Sequence, residues 1–295
     1  MILMSKRILA AACAAATALA LSACSPSAST GGKTSKDGTL TVMASFYPLK
    51  YLTEKVGGEH VTVTSLTPDG AEPHDLELSP KMVDSLASAD AVVYLAGFQG
   101  AVDEAVEQHA PKTVIDVSPA AQLVAIDSTS NHPGEDEGTD EAQSGEAQSW
   151  EAADHDHEGH EHEGHDHEHA DHDHHHDMSM DPHFWLDPAR MANAATLVGD
   201  KLAEADPTNA ETYKANAQAL NEELTSLGDN LVAKTSTCQI KTFVTAHTAF
   251  GYLADRTGLT QVGISGLDPE SSPSPARLDE IGTIVKDQGV TTIFT

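Results

Sequence analysis

Five histidines outside the most acidic part of this chain are candidates for chemistry: His60, His74, His109, His183 and His247. Three share a type of position. His74 follows the loop Pro68-Asp69-Gly70-Ala71-Glu72-Pro73, which leaves a strand end. His183 stands in Asp181-Pro182-His183-Phe184-Trp185, just before a helix. His247 comes directly after a β-rich run, in Thr245-Ala246-His247-Thr248. Ligands of open α/β sheets gather outside the carboxyl ends of the strands, where loop-borne residues converge. Imidazole nitrogen suits Zn²⁺, held at roughly 2.0–2.1 Å in tetrahedral sites, and three imidazoles leave one position for a carboxylate or water. The same three residues could equally be hydrogen-bonding or surface histidines, and they are too far apart in sequence for spacing to decide. His60, at a strand start, and His109, at a helix end, read as structural. Three histidines plus water also describe a catalytic zinc site. The chain has no His-Glu-x-x-His spacing, however, and no obvious general base beyond Glu72, so a zinc-dependent hydrolase is the weaker alternative and a non-enzyme the expectation.

The elements that must position these residues alternate strand and helix. Leu40 to Ala44, Val61 to Leu66, Ala91 to Leu95 and Thr113 to Val117 are short β-branched runs. Between them lie helix-compatible stretches over Leu49–Val56, Pro80–Ala87 and Ala101–Gln108, with Ser79-Pro80 as a helix start signal. This order predicts an α/β fold with a mainly parallel sheet and crossover helices. Helical pattern resumes at Pro188 and runs to Ala205. A second helix, about Thr208 to Lys234, carries Tyr213, Leu220, Leu224, Leu227 and Leu231 on one side. Alternation then returns, with strands at Thr242–Thr245, Gln261–Ile264 and Val290–Phe294 and helices at Ala249–Arg256 and Pro275–Lys286. The expected division is an N-terminal lobe over 39–206, a linking helix over 207–235 and a C-terminal lobe over 236–295, which reads as cut short because it ends on an uncovered strand.

Composition bounds the setting. Residues 1–23 read as a secretory signal: Lys6 and Arg7 precede an apolar run from Ile8 to Leu21 that is too short to span a bilayer. Leu21-Ser22-Ala23-Cys24 looks like a bacterial lipobox, which makes Cys24 the lipidation site and 24–38 a lipidated tether rich in Ser, Thr and Gly. The expected location is extracytoplasmic, on the outer face of the cell membrane. Cys238 is left over, as a free thiol or a half-cystine whose partner is missing. The formal charge is −30, of which 19 acidic residues and no Lys or Arg fall within 127–182. That balance argues against nucleic-acid partners and suits cations. Within the expected disordered insert 127–181, eleven histidines alternate with acids and glycines: His155, His157, His160, His162, His165, His167, His169, His172, His174, His175 and His176. They form an auxiliary low-affinity metal loop, or else a solvated acidic loop that binds metal incidentally.

Several ordered segments carry a family resemblance: Ser45-Phe46-Tyr47-Pro48-Leu49, Gly57-Gly58-Glu59-His60-Val61, Pro73-His74-Asp75-Leu76-Glu77-Leu78-Ser79-Pro80, Ala89-Asp90-Ala91-Val92-Val93, Pro182-His183-Phe184-Trp185-Leu186-Asp187-Pro188 and Thr245-Ala246-His247-Thr248-Ala249-Phe250-Gly251-Tyr252. Together they resemble the metal-binding solute-binding proteins of bacterial zinc and manganese ABC importers, over nearly all of the chain from Thr39 onward. The resemblance implies two α/β lobes, each with a mainly parallel sheet flanked by helices, joined by one long backbone helix with the metal in the cleft between them. It implies His74 and His183 as ligands from the N-terminal lobe and His247 from the other, with Zn²⁺ as the cargo. Manganese members commonly place a glutamate where His247 stands, and three nitrogen donors favour zinc over manganese. It also implies a permease and an ATPase of an ABC transporter as partners, a monomeric binding protein, and a manganese-type binding protein or an adhesin as alternative functions. The family's last ligand is often an aspartate beyond this chain's final segment. The fourth ligand is therefore that carboxylate, a water or Glu72.

Overall fold

The strands are short and apolar, so a single alternation of side chains decides their packing. In the computed structural model, which describes residues 38–109, 111–126, 131–132 and 179–295, β1 (Leu40–Ala44), β2 (Val61–Ser65), β3 (Ala91–Tyr94) and β4 (Thr113–Asp116) form a parallel sheet in the order β2-β1-β3-β4. Val42, Ala44, Ala91 and Val93 face one core, while Met43 and Val92 face the other. That period of two lets a strand bury both faces, as a parallel sheet covered by helices requires. The first face is covered by α1 (Tyr47–Gly57) and α5 (Pro188–Ala205), with α6 (Ala210–Thr235) packed outside them. The second face is covered by α2 (Pro80–Ser88) and α3 (Gly100–His109). A short helix, α4 (Ser118–Ala121), follows β4. All the described residues fall within one compact unit.

Helix limits follow local chemistry. Ser79 caps α2 by accepting from the Met82 amide, and Asp187 caps α5 by accepting from Ala189 at 2.9 Å. Gly58, with φ 56°, ends α1 in a conformation a side chain would strain. Asp206 stops α5 and accepts from Asn209 Nδ2 (2.7 Å) and the Tyr213 hydroxyl (2.9 Å), which turns the chain into α6.

A second, three-stranded parallel sheet runs β6-β5-β7, from β5 (Thr242–Thr245), β6 (Thr260–Gly263) and β7 (Ile293–Phe294). It carries α7 (Gly251–Thr257) and α8 (Pro275–Gln288) around a small core of Val244, Val262 and Ile281. The long α6 is the element shared by both halves: it packs on α1 and α5, and further on against α7. There the Arg256 guanidinium lies on Gly228 and reaches Asp187 at 3.2 Å.

The structure departs from the sequence reading in several places. Leu227 is 54% exposed, because the buried line of α6 passes from Leu220 and Leu224 to Gly228. The last strand is two residues long, not five, and both residues are exposed. Residues at the ends of the expected insert 127–181 are built into the protein: Ile126 and Asp181 donate their amides to Ser179 and Val124, both at 2.9 Å, and His132 is buried. Polar partners on either side, rather than apolar surface, hold these ends in place. Cys238 is a free, exposed thiol. The signal 1–23, Cys24, the tether up to residue 37 and the eleven clustered histidines lie outside the described residues. No helix among the described residues is long and apolar enough to cross a membrane.

The α5–α6 crossing depends on Gly199, where an added Cβ would lie 2.5 Å from the Ala217 Cβ and 3.3 Å from the Tyr213 carbonyl oxygen. Gly199→Ala should therefore destabilise the protein by about 1–3 kcal/mol despite its better helix propensity, as overpacked helix contacts do. Thermal or urea unfolding checks this, and an unchanged or raised stability would contradict the close approach.

Candidate metal centre

Two loops at the carboxyl side of the larger sheet bring His74 and His183 together. The first leaves β2 through Leu66 and Thr67 and is held by Gln99, whose Nε2 donates to the Pro73 carbonyl (2.9 Å) and to Thr67 Oγ1 (3.0 Å). The second enters α5 through a short 3₁₀ turn over Phe184–Leu186. The two imidazoles meet through Nε2, 3.2 Å apart, with ring centroids separated by 5.2 Å. An apolar wall of Phe46, Phe98 and Trp185 backs them: Phe98 stands edge-on to His74 at 5.0 Å and Trp185 lies 5.1 Å from His183.

Both rings are held from behind in the same way. In Glu72-Pro73-His74 the Glu72 Oε1 accepts from Nδ1 of His74 at 2.5 Å and from its amide at 3.2 Å. In Asp181-Pro182-His183 the Asp181 Oδ1 accepts from Nδ1 of His183 at 2.8 Å and from its amide at 2.9 Å. A carboxylate two residues upstream thus takes the Nδ1 proton in each case and leaves the Nε2 lone pair pointing forward, the usual outer support of a metal-ligating histidine. Two lone pairs facing each other at 3.2 Å repel unless a proton or a cation lies between them. Two nitrogens bound to one tetrahedral Zn²⁺ would be about 3.3 Å apart, and their ring centroids about 5.2 Å. The pair fits a single metal ion.

His247 arrives from the second sheet. It follows β5 directly, and its loop is pinned on both sides: the Thr245 hydroxyl donates to the His247 carbonyl (2.7 Å), and Thr248 donates its amide to Gly266 (2.8 Å). Its ring centroid lies 5.5 Å from that of His183 and 6.2 Å from that of His74. Among the described residues no three His, Cys, Asp or Glu side chains are already drawn to ligating geometry. The wide side of the triangle is the one between His247 and His74, and it exceeds the tetrahedral value by about 1 Å. A small inward movement of His247 would close it. The structure therefore brings together all three of the sequence-derived candidates. Glu72 is adjacent too, with one oxygen engaged by His74. His60 lies elsewhere, against Tyr213, and His109 ends α3.

Burial disfavours charge on His74 and His247, while hydrogen bonds favour it on the supporting carboxylates. Burial depresses the pKa of His74, helped by the neighbouring His183, against the upward pull of Glu72. Burial depresses His247 as well, with His183 and His74 acting in the same direction. Burial would raise the carboxyls of Glu72 and Asp181, but hydrogen bonds outweigh it and hold both below their ordinary values; His74 is the donor to Glu72, and His132 and His183 are the donors to Asp181. Sequence reasoning gives Glu72 a place as a possible fourth ligand rather than as a support, and misses Asp181 and His132. Asp181 and His132 both sit within the acidic stretch and were read as part of it. The repeated acid-Pro-His pattern at 72–74 and 181–183 was the available signal.

Neutral imidazole binds metal and imidazolium does not. With His74 and His247 depressed, protons compete with metal at those two rings only below the ordinary histidine range. Three unperturbed imidazoles would cost about sixfold in affinity between pH 7.5 and 6.5. This centre should lose less than about threefold over that interval and fall steeply only at lower pH. Chelator competition with less than one equivalent of Zn²⁺ measures it, and a loss of about sixfold or more by pH 6.5 would contradict the depressed values.

Known proteins resemble this chain over most of its length. The family described as "Zinc-uptake complex component A periplasmic", ZnuA, matches residues 42–295. The zinc-binding lipoprotein AdcA of Streptococcus pneumoniae is 34% identical over 261 residues, which are 88% of this chain and 45% of that protein. The chain thus spans about half the length of the curated relatives it matches. Among solved structures, a Zn(II)-bound AdcAII variant of S. pneumoniae superposes with a TM-score of 0.66 at 30% identity, covering 88% of this chain and 82% of that one. The laminin-binding protein Lmb of Streptococcus agalactiae, described as bifunctional with adhesin and metal transporting activity, gives 0.63 at 28%, covering 86% and 79%. With its two helix-flanked parallel sheets and the histidine triangle between them, the chain belongs to the ZnuA family of zinc-uptake binding components.

Proposed function

We propose that this chain is an extracytoplasmic solute-binding lipoprotein that captures Zn²⁺ and delivers it to an ABC-type metal importer, without enzymatic activity of its own. The observation that carries this reading is the 3.2 Å approach of two Nε2 atoms whose Nδ1 sides are both occupied by carboxylates. In the proposed site His74 and His183 hold zinc from one lobe and His247 completes the nitrogen set from the other, with the fourth position filled by water, by Glu72 or by another carboxylate. Nitrogen-rich coordination supports zinc over manganese, which prefers oxygen. Coordination across the cleft would draw His247 inward by about the 1 Å that separates it from tetrahedral spacing. Docking on the permease, which works with its ATPase, would reverse that movement and release the ion.

The proposed organisation is a lobe over 39–206, a linking helix over 207–235 and a lobe over 236–295, anchored to the outer face of the membrane through lipidated Cys24. The protein acts as a monomer in this reading. The eleven histidines from His155 to His176 would serve as a tethered low-affinity collector, raising the metal concentration near the cleft. A second reading, adhesion, rests on the described bifunctionality of the laminin-binding relative. Dose-dependent binding to immobilised laminin would favour it.

Loss of an outer support already costs 10–100-fold in metal affinity, so His74→Ala, His183→Ala and His247→Ala should each weaken zinc binding by more than about 100-fold. Chelator competition on the full chain tests this, and a variant that keeps wild-type affinity removes that histidine from the site. Deleting residues 150–177 should reduce zinc uptake only when the metal is limiting. Unchanged uptake under limitation rejects the collector role.

A further inference from the structure

The mechanism above uses neither His132 nor Asp255, yet both belong to a polar junction beside His183 that runs from the buried His132 out to the half-exposed Asp255. His132 is 2% exposed and Asp181 is fully buried. Nδ1 of His132 meets Asp181 Oδ2 at 2.7 Å, and its Nε2 meets Asp255 Oδ2 at 2.8 Å. A ring with a carboxylate oxygen at each nitrogen must donate from both, so His132 is an imidazolium held between two anions. Its pKa is raised accordingly: burial opposes the charge, and the two aspartates outweigh it. The two aspartates come from different halves of the protein. Asp181 precedes the α5 that covers the larger sheet; Asp255 lies on α7, the helix that begins four residues after His247.

The junction has a shaped seat. Asn131 Nδ2 donates to the other oxygen of Asp255 (2.7 Å), and Gln261 on β6 donates its Nε2 to the Asn131 carbonyl (2.8 Å). The His132 ring stands edge-on to Tyr252, 4.9 Å between centroids, and the Tyr252 hydroxyl donates to the Asp181 carbonyl at 2.6 Å. Gly251 leaves the room: a Cβ there would lie 2.2 Å from the Asn131 carbonyl and under 3 Å from the His132 ring.

We propose that His132 is a positioning residue for zinc, a charged wedge that fixes the Asp181 carboxylate behind His183 and ties it to the helix following His247. Of the two Asp181 oxygens, Oδ1 orients His183 and Oδ2 is spent on His132. Without that second partner the carboxylate can turn, and His183 loses its fixed Nδ1 acceptor. Asp255 carries the constraint to the other half, so the orientation of one ligand depends on the placement of the loop that bears the other. This inference rests on the reading that His183 holds zinc, and the experiment separates the two.

Zinc affinity is measured by chelator competition on the full chain for Asp255→Asn, Asp255→Glu, His132→Phe and His183→Ala, alongside the ¹⁵N shift of His183 Nδ1 and the melting temperature. Asp255→Asn should weaken zinc about tenfold and His132→Phe by up to about 100-fold, the range for lost outer support, with the His183 Nδ1 resonance displaced in both. Asp255→Glu should restore affinity to within about threefold by keeping the charge. Wild-type affinity and an unmoved resonance in Asp255→Asn and His132→Phe, with only a lowered melting temperature, would overturn the proposal and leave the junction a structural staple. If His132→Phe does not fold, Asp255→Asn decides alone. Wild-type affinity in His183→Ala would instead sink the zinc site itself, whatever the His132 variants do.

Discussion

Two imidazole nitrogens that approach lone pair to lone pair are the constraint around which this protein is organised. Neither His74 nor His183 can relieve the contact by turning, since each is tethered through Nδ1 to a carboxylate two residues upstream and backed by the Phe46, Phe98 and Trp185 wall. Nor can the His74 ring easily take up a proton at Nε2, because burial penalises charge there and the neighbouring His183 adds to that penalty. A divalent cation resolves the conflict directly, at a separation that suits tetrahedral nitrogen coordination.

The rest of the architecture supplies rigidity on one side and adjustability on the other. The larger sheet, buried on both faces and clasped by α1, α5 and α6, places His74 and His183 on a packed base. The smaller sheet has a core of only a few apolar residues and presents His247 from a loop pinned by backbone hydrogen bonds. Cross-connections between the halves are mostly polar, Arg256 to Asp187, Tyr252 to Asp181 and Asp255 to His132, with the Tyr252 ring also buried in the larger core. Polar contacts permit small displacements at little cost in buried apolar area, which suits the proposed closing on an ion and its later release.

Much of this was legible in the sequence. Short β-branched runs gave β1 and β5 their observed limits and the other strands from Val61 to Gly263 theirs to within a residue or so, while Ser79-Pro80 and the pattern resuming at Pro188 marked helix starts. The positions of His74, His183 and His247 after or between such elements pointed to one cluster. What escaped was decided by tertiary partners rather than by local pattern. Leu227 lost its expected burial because Gly228 faces Arg256, and β7 shrank to Ile293–Phe294. His132 was masked by the acidic composition around it, since a buried imidazolium is held by Asp181 and Asp255, distant by 49 and 123 residues. No one-dimensional period reports such a contact.

The central claim is a zinc ion held by imidazoles from both halves. X-ray absorption at the zinc edge tests it most directly, on the full chain carrying half an equivalent of metal so that the tightest site fills first. The account predicts a first shell of light atoms at about 2.0–2.1 Å with outer scattering from three imidazole rings, falling to two when His247 is replaced by alanine. A sulfur ligand, or an imidazole count that does not change with that substitution, would contradict it.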